Sequence, residues 1–189
     1  ETLLDIENSF FKTMSLAGTQ VYQHSENVVW KSKELEEQQL VTDFIKKQVK
    51  DISYNLKIEK TKTIRAGDLL HLKTKVTGNL KEKSTLKELI RALHPTPAVC
   101  GLPRDIAKEF ILKNENYNRS FYTGFLGEIN LDDKNLKSKN SSLFVNLRCM
   151  EVQDKKIFIY VGGGITKDSN AKKEWEETVS KSKTMKKAL

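Results

Sequence analysis

Strand-like segments outnumber helical ones in this chain, and they occur in adjacent groups instead of alternating with helices. The order reads strands, helix, strands, two helices, strands, helix. A doubly wound parallel sheet needs a helical crossover between successive strands, and this order supplies too few. The pattern therefore predicts an α+β fold in which a largely antiparallel sheet is covered by helices. The length of 189 residues is enough for one domain with its own core.

Runs of apolar or alternating residues mark the expected strands. The first two are predicted at residues 1–6 and 10–16, with turn-forming residues between them and Ala17-Gly18-Thr19 ending the second. The others are predicted at residues 56–65, at 69–76 closed by Gly78, at 121–129, at 143–152 and at 156–161. The last two are expected to form a hairpin, and the polar residues 132–142 a turn.

Apolar residues at helical spacing predict four helices, at residues 33–52, 84–93, 103–114 and 170–189. Ser84 is the expected N-cap of the second helix, and Pro103 occupies the favoured first position of the third. The segment between these two helices reads His94-Pro95-Thr96-Pro97. Two prolines separated by one residue exclude a helix there.

Charge and composition narrow the class of protein. The net charge is +8, but the lysines are scattered and not massed with aromatic residues, which argues against a nucleic-acid surface. No apolar run is long enough to cross a bilayer, and the first residues lack the features of a signal peptide. Cys100 and Cys149 show no disulfide spacing, so we expect a reducing, cytoplasmic location. Because the chain opens with Glu1-Thr2 and then an apolar pair, with no methionine, we expect it to be a piece of a longer protein.

The last predicted helix carries a candidate site. Glu174, Glu177 and Lys181 lie three and four residues apart and therefore share a helical face. Spacing alone favours a solvated salt-bridge stripe. The upstream segment Gly162-Gly163-Gly164 favours a ligand site instead, because consecutive glycines let backbone N–H groups approach an anion; a flexible turn is the alternative.

Two further candidates stay open on pattern alone. Arg148 interrupts an apolar strand, where it either faces solvent at a sheet edge or enters a pocket as a carboxylate ligand. Glu34, Glu36 and Glu37 begin the first helix, where they either complement the helix dipole or provide a ligand for a hard metal ion such as Mg²⁺. The three histidines lack the spacing of a zinc site, and the chain has no dinucleotide-binding glycine motif.

Several short motifs occur in a fixed order along the whole chain. They read Leu93-His94-Pro95-Thr96-Pro97-Ala98-Val99-Cys100-Gly101, Leu147-Arg148-Cys149, Tyr160-Val161-Gly162-Gly163-Gly164-Ile165, and Glu174-Trp175-Glu176-Glu177-Thr178 followed by Lys181 and Thr184-Met185. This set resembles the LHPTPAxxG signature, the IRC segment, the aGaGI loop and the EWxET…K…TM helix of isochorismate synthases, which are chorismate-binding enzymes. Single motifs are weak, whereas the ordered set is specific. The resemblance implies the C-terminal portion of the chorismate-utilising fold over residues 1–189.

The resemblance also implies a magnesium site. By similarity, Glu37 and Glu177 are the direct ligands, and Glu34 and Glu174 act nearby, through water. A shift of one residue in the comparison would move the first ligand to Glu36. The metal holds the ring carboxylate of chorismate in such enzymes, and Lys181 supports that charge.

Other residues are assigned to the substrate by the same resemblance. Arg148 takes the enolpyruvyl carboxylate, and His71 lines the ring pocket. Gly162 and the turn Ala17-Gly18-Thr19 approach the substrate with backbone groups.

Glu1 matches the general acid of the family, which protonates the departing hydroxyl. That role needs a raised pKa, which burial favours and a free α-amino group one bond away opposes. The family's water-activating lysine lies N-terminal to this glutamate, outside this chain. We therefore expect this piece to be inactive alone while keeping most of the metal site.

Three readings remain after this comparison. The His94–Gly101 stretch favours isochorismate formation over the salicylate, anthranilate and aminodeoxychorismate branches of the family. A non-catalytic binding domain is the third reading. The sequence leaves open whether a product would serve menaquinone or siderophore biosynthesis. An exposed sheet edge is expected to allow pairing with a second copy.

Overall fold

The computed structural model describes residues 1–133 and 138–189 as an antiparallel sheet, a separate hairpin and four helices. The strands are β1 (Thr2–Glu7), β2 (Phe10–Val21), β3 (Ser53–Ile58), β4 (Lys62–Ala66), β5 (Leu69–Leu80), β6 (Phe125–Asp133), β7 (Ser138–Val145), β8 (Cys149–Gln153) and β9 (Lys156–Tyr160). The helices are α1 (Ser32–Val49), α2 (Leu86–Leu93), α3 (Arg104–Asn114) and α4 (Ala171–Lys186).

The main sheet has the strand order β3-β5-β2-β1-β7-β6, and β4 also pairs with β5. Every pairing among these strands is antiparallel. Strands β8 and β9 form the separate hairpin, with Cys149 opposite Tyr160. The predicted α+β class with a largely antiparallel sheet is confirmed.

The core lies between the sheet and the helices α1 and α2. On α1, Val41, Ile45 and Val49 are buried, and they pack with sheet residues such as Phe11 and Val76. Leu89 and Leu93 of α2 join the same cluster. Burying one such large apolar side chain stabilises the fold by about 1.5–3 kcal/mol, so this layer fixes α1 against β2 and β5.

The prediction of a single strand at residues 56–65 is wrong, because the structure has two strands there, β3 and β4. Both β3 and β4 pair with β5, with Ile58 opposite Val76 and Lys62 opposite Lys73. Three residues separate Ile58 from Lys62, whereas only two separate Lys73 from Val76, so the ladder of hydrogen bonds is interrupted there. Gly78 does not end β5 but lies within it, where an added Cβ would sit 3.0 Å from the Phe11 ring.

The predicted strand 143–152 is also two strands. It ends at Val145 in the main sheet and restarts at Cys149 in the hairpin, and Arg148 between them has a positive φ of 50°. Residues 121–124 form a turn, so β6 starts later than predicted. A polar turn was predicted at residues 132–142. Residues 132–133 and 138–142 are instead strand, and residues 134–137 lie outside the described residues.

Helix positions agree with the sequence prediction apart from their ends. The N-cap of α2 is Thr85 and not Ser84, since the Thr85 hydroxyl accepts from the Glu88 backbone N–H. Pro103 is the N-cap of α3 and not its first residue. α1 ends at Val49, three residues before the predicted end. Across residues 1–133 and 138–189, no helix has both the length and the apolar character needed to span a membrane.

Candidate active site

A bulge in β2 forms one wall of the candidate site. Ala17 pairs with Leu72 and Gln20 with Leu70, so Gly18 and Thr19 together face the single residue His71. Gly18 has φ +68°, a left-handed conformation that favours glycine at such a bulge. The strand does not end here, as the sequence predicted, but continues to Val21. Ala17 itself is buried.

Helix α1 lies against this bulge, and Gln38 sets its rotation. The buried Gln38 amide donates to the Ser15 hydroxyl (2.8 Å) and to the Thr74 hydroxyl (2.9 Å), which joins the helix to β2 and β5. The neighbouring Glu37 is thereby half-buried toward the site, whereas Glu36 is exposed. Of the two glutamates that the sequence comparison could not separate, Glu37 is therefore the one whose side chain faces the glycine segment.

Glu34 has a local task in the structure. Its carboxylate accepts from the backbone N–H of Lys31 (3.0 Å), which gives that donor a partner at the start of α1. Its Cβ also lies 3.1 Å from the place where a Cβ on Gly18 would stand. Glu34 therefore supports the helix end and restricts residue 18 to glycine.

The glycine segment between β9 and α4 faces carboxylates from two helices. A Cβ on Gly164 would stand 2.9 Å from Glu37 Oε1. A Cβ on Gly163 would stand 3.7 Å from Glu177 Oε1 and 3.8 Å from Glu174 Oε2. Glu174 is only 8% exposed, so the shared face of α4 is turned to the site and is not the solvated stripe that spacing alone favours.

Two lysines pair with these carboxylates. Lys33 of α1 forms an ion pair with Glu174 of α4. Lys181 Nζ lies 2.7 Å from Glu177 Oε1 and donates to the Gly162 carbonyl at 3.0 Å. Lys181 thus connects the glycine segment to α4.

The pKa values reflect this crowding of charge. Burial raises the pKa of the Glu37 carboxyl, the charge of Glu177 raises it further, and Lys181 and Lys33 only partly oppose this. Burial also acts to raise the pKa of Glu174, but hydrogen bonds from Lys33 and Ser169 outweigh it and lower the value. Two carboxylates that repel each other favour a cation placed between them.

The donor set suits a hard divalent cation. Carboxylate oxygens are the protein ligands that Mg²⁺ prefers, and the glycines let the backbone approach these carboxylates closely. In the described residues no group of three or more His, Cys, Asp or Glu side chains is arranged so that it could hold a metal ion by itself. Because Mg²⁺ commonly takes only one or two protein carboxylates, Glu37 and Glu177 are compatible with that ion.

Arg148 and His71 form the opposite part of the site. Arg148 is half-buried, and burial lowers the pKa of its guanidinium while the charges of Glu1 and Glu177 oppose the shift. Its Nη2 lies 3.0 Å from His71 Nε2, and His71 Nδ1 lies 2.9 Å from the Gly18 carbonyl oxygen. The structure therefore decides between the two environments left open for Arg148, since its side chain points inward.

Glu1 is held beside Arg148 at the start of β1. Its carbonyl accepts from the Val145 backbone N–H at 2.9 Å. Burial raises the pKa of its carboxyl to about 7, although the N-terminal amino group and Arg148 both lower it. Burial thus outweighs the nearby amino group, and the carboxyl is partly protonated at neutral pH.

Tyr122 is a site residue that the sequence reading missed. It is buried, and its hydroxyl would lie 2.6 Å from a Cβ on Gly162. Its ring stacks on Tyr160 at 5.6 Å, and burial raises its pKa to about 12. In the sequence, Tyr122 lies two positions before Gly124, which could have indicated a turn, but residues 121–129 were predicted to be a strand. Tyr122 thus packs against Gly162, whose carbonyl accepts from Lys181.

The sequence matches the family described as chorismate binding enzyme over residues 1–189. Isochorismate synthase DhbC of Bacillus subtilis is 35% identical over 160 residues, which cover 84% of this chain and 39% of the relative. Anthranilate synthase component 1 of Aquifex aeolicus is 28% identical over 200 positions, which cover 100% of this chain and 39% of the relative.

Solved structures agree with these relatives. MenF, the menaquinone-specific isochorismate synthase of Escherichia coli, matches with a TM-score of 0.85 and 26% identity, covering 98% of this chain and 44% of that one. DhbC of Bacillus anthracis matches with a TM-score of 0.86 and 32% identity, covering 100% and 52%. The chain thus spans about half, or less, of the length of these relatives. Its sequence and its fold both place it among the chorismate-binding enzymes.

Proposed function

We propose that this chain is the metal-binding and substrate-binding part of an isochorismate synthase. Such an enzyme adds water at C2 of chorismate and expels the C4 hydroxyl, so that one water enters and one leaves. The observation that carries the proposal is the meeting of Glu37 from α1 with Glu174 and Glu177 from α4 around Gly163 and Gly164. The isochorismate synthases among the relatives support the choice of reaction.

The substrate has two carboxylates, and the chain offers cationic groups on two sides of the site. Arg148 presents a guanidinium fork suited to bidentate contact with a carboxylate, which we assign to the enolpyruvyl group. Lys181 lies on the other side, next to Gly162, and supports the charge of the ring carboxylate. Gly162 and the Ala17–Thr19 bulge contribute backbone groups to the same pocket.

Glu1 is assigned as the general acid. Expelling a hydroxyl requires a proton donor, and a carboxyl with a pKa of about 7 holds a proton in a substantial fraction of molecules at neutral pH. The neighbouring Arg148 stabilises the carboxylate that remains after proton transfer.

Mg²⁺ is the proposed cofactor, held by Glu37 and Glu177 with Glu174 nearby. When bound, the ion supplies positive charge that neutralises and orients the ring carboxylate. Glu34 keeps its capping bond to Lys31 in the structure, and a role for it at the metal requires water between them.

The proposed base is not part of this chain. By resemblance it is a lysine that precedes Glu1 in the full-length protein. We therefore expect this chain to bind Mg²⁺ and chorismate but to turn nothing over.

The anthranilate synthase relative supports a second candidate, because it aligns with the whole chain. In that reaction ammonia replaces water and pyruvate is lost. The His94–Gly101 segment favours the isochorismate type, since glycine-rich sequences are usual at this place in the anthranilate branch. A binding domain without catalysis is the remaining reading.

Calorimetry of chorismate against this chain, with and without Mg²⁺, tests the proposal together with product analysis on an N-terminally extended protein. Binding by the chain, with isochorismate formed only by the longer protein, supports it. Anthranilate formed with ammonia, or salicylate, assigns the protein to another branch. Turnover by the chain alone contradicts the missing base, and no chorismate binding by either form overturns the site.

A further inference from the structure

The bulge in β2 lies opposite a single residue, His71. Because Gly18 and Thr19 together face only His71, the backbone bends at this point and turns the Gly18 carbonyl toward the imidazole. Thr19 Oγ1 also approaches the same ring nitrogen, at 3.4 Å. An irregularity of this kind costs a ladder hydrogen bond, and here it provides an acceptor for His71.

These contacts fix which ring nitrogen of His71 carries the proton. A carbonyl oxygen can only accept, so the 2.9 Å contact with Gly18 requires a hydrogen on Nδ1. In a neutral ring Nε2 then holds a lone pair, and Arg148 Nη2 donates to it at 3.0 Å. A doubly protonated ring would set an N–H against the guanidinium N–H. Burial lowers the pKa of His71, and the charges of Arg148 and Lys181 lower it further, which outweighs the Gly18 carbonyl and Glu177.

The guanidinium of Arg148 needs a hydrogen-bond partner within the protein if it is to be ordered before a ligand binds. Arg148 lies between β7 and β8 with φ +50°, a left-handed conformation that is strained for a residue with a side chain. A long side chain with several rotatable bonds loses binding free energy when it must be ordered by the ligand. A bond to His71 orders the guanidinium before the ligand arrives.

We infer that His71 is a positioning residue, a neutral imidazole protonated on Nδ1 that links the Gly18 carbonyl to Arg148 and holds the guanidinium in its carboxylate-binding orientation. This inference rests on the proposed function, and it gives His71 a task beyond lining a pocket. With its Nε2 lone pair engaged by Arg148, His71 does not act as a general acid or base while that bond is intact.

The tautomer is tested on this chain without any substrate. Ring ¹⁵N signals of the three histidines are recorded by NMR, and the His71 pair is identified by its loss in His71→Gln. The inference expects Nδ1 to carry the hydrogen and Nε2 to be a bare acceptor whose shift moves in Arg148→Met. An Nε2-protonated ring, a charged ring, or an Nε2 signal insensitive to Arg148→Met overturns it.

Two matched variants then separate positioning from packing. An asparagine amide reaches the place of Nδ1 and keeps the bond to Gly18, whereas a glutamine oxygen reaches the place of Nε2 and keeps the acceptor for Arg148. We expect His71→Asn to weaken chorismate binding about tenfold and His71→Gln to bind within about threefold of wild type, at similar melting temperatures.

The result separates the inference from the proposed function. Equal weakening in both variants contradicts positioning through Nε2. Failure of the wild-type chain to bind chorismate, with Mg²⁺ present, contradicts the proposed function for this chain, and the NMR result still decides the link between His71 and Arg148.

Discussion

At the scale of single residues, Glu1 has the most unusual protonation. Its folded pKa of about 7 lies above the ordinary value of 4.5. A carboxyl with a raised pKa contributes stability that is complete below the unfolded value and is lost as the pH rises through the folded one. Wild type should therefore lose about 1–3 kcal/mol relative to Glu1→Gln between pH 4.5 and pH 7. Urea unfolding of both proteins across this range measures the difference, and parallel stability curves would contradict the raised pKa.

Glu37 and Glu36 provide a matched pair for the proposed metal. Glu37 faces Glu177 across the glycine segment, while Glu36 is exposed. If Mg²⁺ binds the folded chain, a tenfold excess over its dissociation constant stabilises by about 1.4 kcal/mol. Thermal unfolding should show this gain in wild type and in Glu36→Gln, and Glu37→Gln should lose it. Equal gains in both variants would place the ion elsewhere.

The shared face of α4 was predictable from the sequence, because a short-range rule applies to it. Helical periodicity puts Glu174, Glu177 and Lys181 on one face, and the structure turns that face inward. The contact between His71 and Arg148 was not predictable in the same way. It joins residues 77 positions apart and depends on a bulge that only strand pairing reveals.

At the scale of elements, α2 shows how local signals can compete. Ser84 and Thr85 are both suitable N-caps by residue type, and the sequence analysis placed the cap at Ser84. The structure selects Thr85, because Glu88 three residues later completes a capping box with it. Thr85→Ala should cost about 1 kcal/mol, and Ser84→Ala should stay within about 0.5 kcal/mol. Chemical unfolding measures the free energy of unfolding of both variants. A larger loss in Ser84→Ala than in Thr85→Ala would assign the N-cap to Ser84.

Strand boundaries were the weakest part of the sequence prediction, for a physical reason. Alternating residues mark a strand but do not show which partner it pairs with. Residues 56–65 divide because β5 is long enough to pair with two shorter strands in succession. Residues 143–152 divide because the chain leaves the main sheet after Val145 and pairs with β9 from Cys149 onward, with Arg148 at a positive φ between the two strands. Both divisions depend on which strands pair in the folded protein, so the local sequence pattern does not show them.

At the scale of the whole molecule, β6 and α3 each expose several large apolar side chains. β6 is an edge of the main sheet, and Phe125, Leu126, Ile129 and Leu131 on it are each at least 40% exposed. On α3, Ile106, Phe110 and Leu112 are more exposed still. A folded protein seldom leaves such a surface uncovered, and an edge strand with free N–H and C=O groups can pair with another chain.

We therefore predict that the isolated chain self-associates through β6, and more strongly as salt screens its net charge of +8. A lysine on the edge blocks such pairing, so Ile129→Lys should restore the monomer. Ile106→Lys, an equal change on α3, should not. Light scattering at increasing concentration measures the state, and a wild-type monomer at high concentration and high salt contradicts the prediction. An N-terminally extended protein should be monomeric if its added residues cover β6, which would identify this surface as internal to the complete enzyme.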